Sequence, residues 1–149
     1  MGKIEGEIYF NGNPRTESLV RSSAYVMQDN VHIGALTVRQ TLTFAARLRM
    51  DGRLSEATRI KRIQKILDML GLAEHADTLV GDETTRGISG GQMKRLSIGV
   101  EVINLPDLIF LDEPTTGLDS SISLEVFIFK IQFLVANILY FIFIKINYR

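Results

Sequence analysis

Apolar and polar residues follow two rhythms along this chain. Glu7-Ile8-Tyr9-Phe10 is a short aromatic and β-branched run closed by Asn11-Gly12, the pattern of a strand entering a tight turn. Residues 23–27 predict a second strand. Over residues 37–50, Val38, Leu42, Ala45, Ala46 and Leu48 stand at roughly helical spacing, and Ile60, Ile63, Ile66, Leu67 and Leu70 do so more clearly. Two amphipathic helices are expected. The second carries Arg59, Lys61, Arg62 and Lys65 as a solvated face and stops at Gly71, a residue suited to a helix C-cap. From Ser89 a glycine-containing turn leads into a third helical pattern through Leu96, Ile98, Val100 and Ile103, ending before Pro106. Leu108-Ile109-Phe110-Leu111 is apolar at every position, as in a parallel strand covered by helices on both faces. Strands, a helical insert, then a buried strand followed by a helix make an α/β pattern, with no internal repeat and no low-complexity linker.

The last quarter changes character. Residues 126–144 are mostly Phe, Ile, Leu and Val, interrupted by Lys130, Gln132 and Asn137. A spanning helix needs about 20 apolar residues, and extending 133–144 backwards draws in Lys130 and Gln132, both costly within lipid. The expectation is a helix or strand packed on the domain, or aggregating, rather than a span.

Composition narrows the function classes. The 149 residues fit one domain of roughly 100–200 residues, and 46% apolar content is enough to bury a core. Lys plus Arg total 17 and Asp plus Glu total 17, so no net field favours nucleic acid or an acidic membrane surface. The absence of cysteine excludes disulfides and thiolate metal sites. Charged and amide side chains scattered through the first thirty residues leave no core for a signal peptide.

Candidate chemistry sits at two places. Ligands in open α/β sheets gather beyond the carboxyl ends of the strands, where Asp112-Glu113-Pro114 follows the buried run. In phosphoryl-transfer enzymes an Asp at such an end holds Mg²⁺, and an adjacent carboxylate can orient or deprotonate the attacking water. Asp112 is assigned to Mg²⁺ and Glu113 to the catalytic base. Read alone, the segment fits an ordinary turn equally well. The second place is Ile88-Ser89-Gly90-Gly91-Gln92, a serine at a helix start with two glycines that let a phosphate approach free N–H groups and the positive end of the helix dipole. A Ser-Gly-Gly by itself is more often a plain capping turn. Here the run continues as Met93-Lys94-Arg95-Leu96-Ser97-Ile98-Gly99, and Asp112-Glu113 follows after a separation that suits one helix plus a return to the sheet.

Together these residues resemble the signature motif and Walker B of ATP-binding cassette (ABC) proteins, followed by the D-loop in Thr116-Gly117-Leu118-Asp119. Thr37-Val38-Arg39-Gln40-Thr41-Leu42 with Phe44-Ala45-Ala46, and Asp77-Thr78-Leu79-Val80-Gly81-Asp82 leading to Arg86-Gly87-Ile88, resemble the G subfamily, including its pleiotropic-drug-resistance branch. The resemblance implies a partial P-loop NTPase-like ABC ATPase domain over residues 1–126, a mostly parallel sheet with a helical insert subdomain at about 37–103, and a divergent tail at 127–149. It gives Gln28 the place of the Q-loop glutamine, which reaches Mg²⁺ and the attacking water and whose loop contacts a transmembrane domain. Family members pair head to tail around ATP. Ser89, Gly90, Gly91 and Gln92 would serve a partner's nucleotide, Asp112, Glu113 and Gln28 the chain's own, and Asp119 would lie across the dimer interface. The implied setting is the cytoplasmic face of a membrane, with no nucleic-acid partner.

The sequence also departs from that family. No G-x-x-x-x-G-K-[ST] phosphate loop occurs in it, the one Gly-Lys pair being Gly2-Lys3. The family's adenine-stacking aromatic residue belongs upstream of that loop, and its switch histidine after the helix that follows the D-loop, whereas no histidine lies beyond His75. His32 and His75 read as surface residues. The chain by itself is therefore expected to hydrolyse no ATP. The competing readings are a non-catalytic fragment that pairs with another such domain, and a soluble cassette ATPase of nucleic-acid repair or translation.

Overall fold

The computed structural model describes residues 6, 9–10, 13–14, 16–82, 84–112 and 140–144. Tyr9–Phe10 (β1) and Asn13–Pro14 (β2) pair antiparallel, and the turn expected at Asn11-Gly12 lies outside the described residues. Glu17–Arg21 (α1) follows, a helix too short to show an apolar period. Ser23–Val26 (β3) then alternates as a half-buried strand does, with Ala24 and Val26 buried and Tyr25 exposed.

The helical insert lies between β3 and its sheet neighbour. Val38–Arg49 (α2) opens on Thr37, Glu56–Met69 (α3) opens on Ser55, and a 3₁₀ turn at Ala73–His75 precedes Gly90–Val102 (α4). α3 ends as its sequence suggests. Leu70 caps it, Gly71 takes a φ of 63°, and the Leu72 amide returns to the Leu67 carbonyl at 2.8 Å. Two apolar positions of the helical pattern are not core. Leu48 is 70% exposed, because at about 3.6 residues per turn it falls on the far side of α2 from Leu42. Ile60 is exposed as well, one turn before the buried stretch begins at Ile63.

The charged face of α3 also needs correction. Lys61 and Lys65 are exposed, but Arg59 and Arg62 are half-buried and reach backbone, Arg59 Nη2 donating to Asp51 O at 2.9 Å and Arg62 Nη1 to Ile103 O at 3.4 Å. Their stems cover apolar surface while their heads satisfy carbonyls at neighbouring turns.

α2, α3 and α4 meet around Leu42, Ile66, Leu67, Leu70, Leu96 and Ile98, all fully buried. Each contributes about 1.5–3 kcal/mol relative to an exposed side chain. The tightest point is Gly99, where a Cβ would lie 2.9 Å from Leu70 Cδ1 and 3.2 Å from both Ile66 Cγ2 and Leu42 Cδ2.

Leu108–Asp112 (β4) runs parallel to β3, Ser23 opposite Leu108 and Val26 opposite Leu111, with Leu108, Ile109 and Leu111 buried. Within the apolar tail, Tyr140–Ile144 (β5) pairs in parallel with the other side of β4, giving the order β3-β4-β5 among the described residues. The helix expected after β4, and the rest of 127–149, lie outside the described residues. No helix among the described residues is long and apolar enough to cross a membrane.

Candidate functional site at the start of helix α4

The approach to α4 is set by two strips of backbone laid against each other. The Val80 amide donates to Leu36 O at 2.8 Å, the Gly81 amide to Gly34 O at 3.0 Å, and Thr37 and Leu79 form an antiparallel bridge. The Ile88 amide then turns back to Val80 O at 3.2 Å. Gly87 is needed at this crossing, since a Cβ there would run into Val80 O.

Ser89 caps α4. Its hydroxyl accepts from the Gln92 amide at 3.2 Å, while the Gln92 side-chain oxygen accepts from the Ser89 amide at 2.7 Å, a reciprocal capping box. That leaves the Gly90 and Gly91 amides, for which no acceptor is found among the described residues. Gly90 is exposed, and a Cβ there would meet nothing within 4 Å. Unsatisfied N–H groups at the positive end of a helix, with no side chain in front of them, suit an anion such as a phosphate. The sequence-assigned Ser89, Gly90, Gly91 and Gln92 thus come together in one capped turn at the start of α4.

Gln28 is exposed and lies just past the end of β3. The parallel register sets Val26 against Leu111, so Gln28 and Asp112 leave the sheet from the same carboxyl edge. Glu113 and Asp119 lie outside the described residues. Among the described residues no group of three or more His, Asp or Glu side chains could hold a metal ion. The types assigned to Mg²⁺, a carboxylate and an amide oxygen at a strand edge, are the hard oxygen donors that ion takes.

Four side chains that sequence reasoning left without a role tie the Gln28 segment to α4. Lys94 is 1% exposed and its Nζ donates to Met27 O at 2.7 Å and Gln28 O at 3.1 Å. One turn on, Ser97 Oγ donates to Asn30 Oδ1 at 2.8 Å and lies 2.8 Å from His32 Nε2. His32 is therefore not a surface residue: burial lowers its pKa below the usual imidazole value, against a bond to the Met93 backbone that raises it. The signal for Lys94 was present in the sequence, because a lysine three positions after Gly91 and four before Ile98 stands on the face of α4 that buries.

Comparison with known proteins places the chain in a family. The family model described as "ABC transporter" matches residues 1–116. "ABC transporter G family member STR2" of Medicago truncatula is 47% identical over 126 residues, covering 84% of this chain and 17% of that protein. "Broad substrate specificity ATP-binding cassette transporter ABCG2" of Rattus norvegicus is 49% identical over 118 residues, 79% of this chain and 18% of that protein. "ABC transporter G family member 6" of Arabidopsis thaliana is 46% identical over 126 residues, 84% of this chain and 17% of that protein. The chain spans less than a fifth of the length of these curated relatives. These matches show that the chain belongs to the ABC transporter family and carries the α/β nucleotide-binding fold of its G subfamily.

Proposed function

We propose that this chain serves the ATP-driven step of a G-type exporter, on the cytoplasmic face of a membrane, paired head to tail with a second ABC ATPase domain. The observation that carries the reading is the start of α4, where Ser89 and Gln92 fix the turn and the exposed Gly90 leaves its amide open to an anion. In this role Ser89 to Gln92 close over the partner's nucleotide. Gln28 and Asp112 would hold Mg²⁺ through oxygen atoms beside the chain's own nucleotide, Glu113 would take a proton from the attacking water, and Asp119 would stand at the dimer interface. Bound Mg²⁺ neutralises charge on the phosphate oxygens.

A transmembrane partner fits next to the Gln28 segment. Val31, Ile33, Phe44 and Leu48 are all exposed there and line a groove of about 230 Å³ between that segment and α2. Apolar side chains gathered on one face mark an interaction site more often than a solvated surface.

Catalysis in phosphoryl transfer is positioning and charge stabilisation, and the 149 residues contain no phosphate loop with its lysine. The chain by itself is therefore expected to turn over no ATP, and to complete one half-site when paired with a whole cassette domain. Steady-state phosphate release with Mg²⁺ and ATP, for the purified chain and for Glu113→Gln, tests this. Turnover above background that disappears in Glu113→Gln would show a phosphate cradle within these residues and overturn the reading. The balanced charge, 17 basic against 17 acidic residues, argues against a nucleic-acid-bound cassette ATPase.

A further inference from the structure

β3 ends at Val26, and from there to Ile33 the chain has no sheet or helix ladder to hold it. Burial does little for this stretch either: Met27 is 63%, Val31 83% and Ile33 59% exposed. Among the described residues the side-chain ties shown for it run to one helix, from Met27 O and Gln28 O to Lys94, and from Asn30 and His32 to Ser97. Lys94 and Ser97 are three positions apart and so share a face of α4. A buried ammonium is costly unless it is fully hydrogen-bonded, so Lys94 holds these carbonyls tightly.

We propose that Lys94, seconded by Ser97, is a positioning residue that takes the backbone of the Gln28 segment from α4 rather than from the sheet. A change at the N-terminus of α4 is thereby transmitted to Gln28. Resting on the functional reading above, this links the two nucleotide sites of a head-to-tail pair through a single chain: Ser89 to Gln92 attend to one nucleotide, Gln28 to the other. The link is short and physical, running from the capped first turn of α4 to Lys94 in the next turn and then to the two carbonyls. A claim of coupling needs such an element and a direct test of it.

The test uses ¹⁵N relaxation and amide chemical shifts of the purified 149-residue chain, without nucleotide. Backbone order parameters over residues 28–32 should fall from about 0.85, the rigid value, to below about 0.6 in Lys94→Met, with α3 unchanged. Unchanged values at 28–32, or an equal loss everywhere, would overturn the proposal. A double-mutant cycle adds a readout that a merely structural lysine would not move. Ser89→Ala should shift the amide resonances of residues 28–32 in the parent chain, and those shifts should fall at least twofold in the Lys94→Met background. Shifts that persist undiminished there refute the coupling. If Lys94→Met does not fold, Lys94→Gln takes its place with the same pair of outcomes, and Ser97→Ala should loosen residues 30–32 alone. No loosening there also counts against the proposal. Because no arm involves ATP, failure here is distinct from failure of the ATPase reading, which the phosphate-release assay reports.

Discussion

At the start of α2 the Thr37 hydroxyl accepts from the Gln40 amide at 3.2 Å and the Gln40 side chain accepts from the Thr37 amide at 2.9 Å. At the start of α4, Ser89 and Gln92 make the same two bonds. The difference lies in the next two residues. In α2 they are Val38, fully buried, and Arg39, and their amides already donate to Thr78 O at 3.1 Å and Ala76 O at 2.8 Å. In α4 they are Gly90 and Gly91, whose amides find no acceptor among the described residues. A capping box is therefore no sign of a binding site by itself. What distinguishes α4 is that its first two N–H groups have no acceptor among the described residues, whereas the fold consumes those of α2.

Substitutions can break or sharpen this contrast. The largest effect should come two residues ahead of each cap. Gly87→Ala pushes a methyl into Val80 O and should cost on the order of 3 kcal/mol, whereas Ala35→Gly, at an exposed position, should stay within about 0.5 kcal/mol. Urea unfolding of both variants measures it, and equal midpoints would mean that the approach to α4 is looser than described. Next come the first helical positions. Val38→Ala should cost about 2 kcal/mol by opening a cavity, while Gly90→Ala should leave stability within about 0.5 kcal/mol yet abolish the half-site that the chain completes on a whole cassette domain. An active Gly90→Ala half-site would remove the reason for glycine there.

Smaller still, Thr37→Ala and Ser89→Ala should each cost about 1 kcal/mol, since the two boxes are alike. Thermal unfolding of both compares them directly, and a Ser89→Ala cost near zero would show that the α4 cap is not formed in solution. The smallest effect concerns pH. The folded pKa of His32 lies below its ordinary 6.5, mainly through burial, so between the two values the unfolded chain binds more protons. Stability is complete above about 6.5 and falls as pH drops from there to the folded pKa. His32→Gln should flatten that part of the stability-versus-pH curve, and an unchanged slope would place His32 in water.

Much of this was legible from the sequence, for reasons that differ by element. The apolar period of α3 and its Gly71 stop, and the unbroken run of β4, are local patterns that burial enforces, and each appears in the structure. Ser89 to Gln92 were legible because capping is also local. For Lys94 only the burial was legible, from its place on the inward face of α4; its partners were not, because they lie far away in sequence, at Met27 and Gln28, and a lysine in a helix ordinarily reads as solvated. His32 was misjudged on the same ground, its contact being Ser97. The alternation of exposed and buried positions cannot report which distant carbonyl a buried cation will meet.

Gly99 has a mechanical consequence. A Cβ at Gly99 would press on the side-chain ends of Leu42, Ile66 and Leu70, so α4 packs closely against α2 and α3 there as well as through the buried core around it. Close-packed interfaces of this kind shift between discrete arrangements and do not slide by small degrees. α2, α3 and α4 must then turn as one block. Any swing that carries Gly90 toward an anion therefore moves the exposed Phe44 and Leu48 through the same arc, so the glycine turn and the apolar groove report on each other's position without a hinge between them.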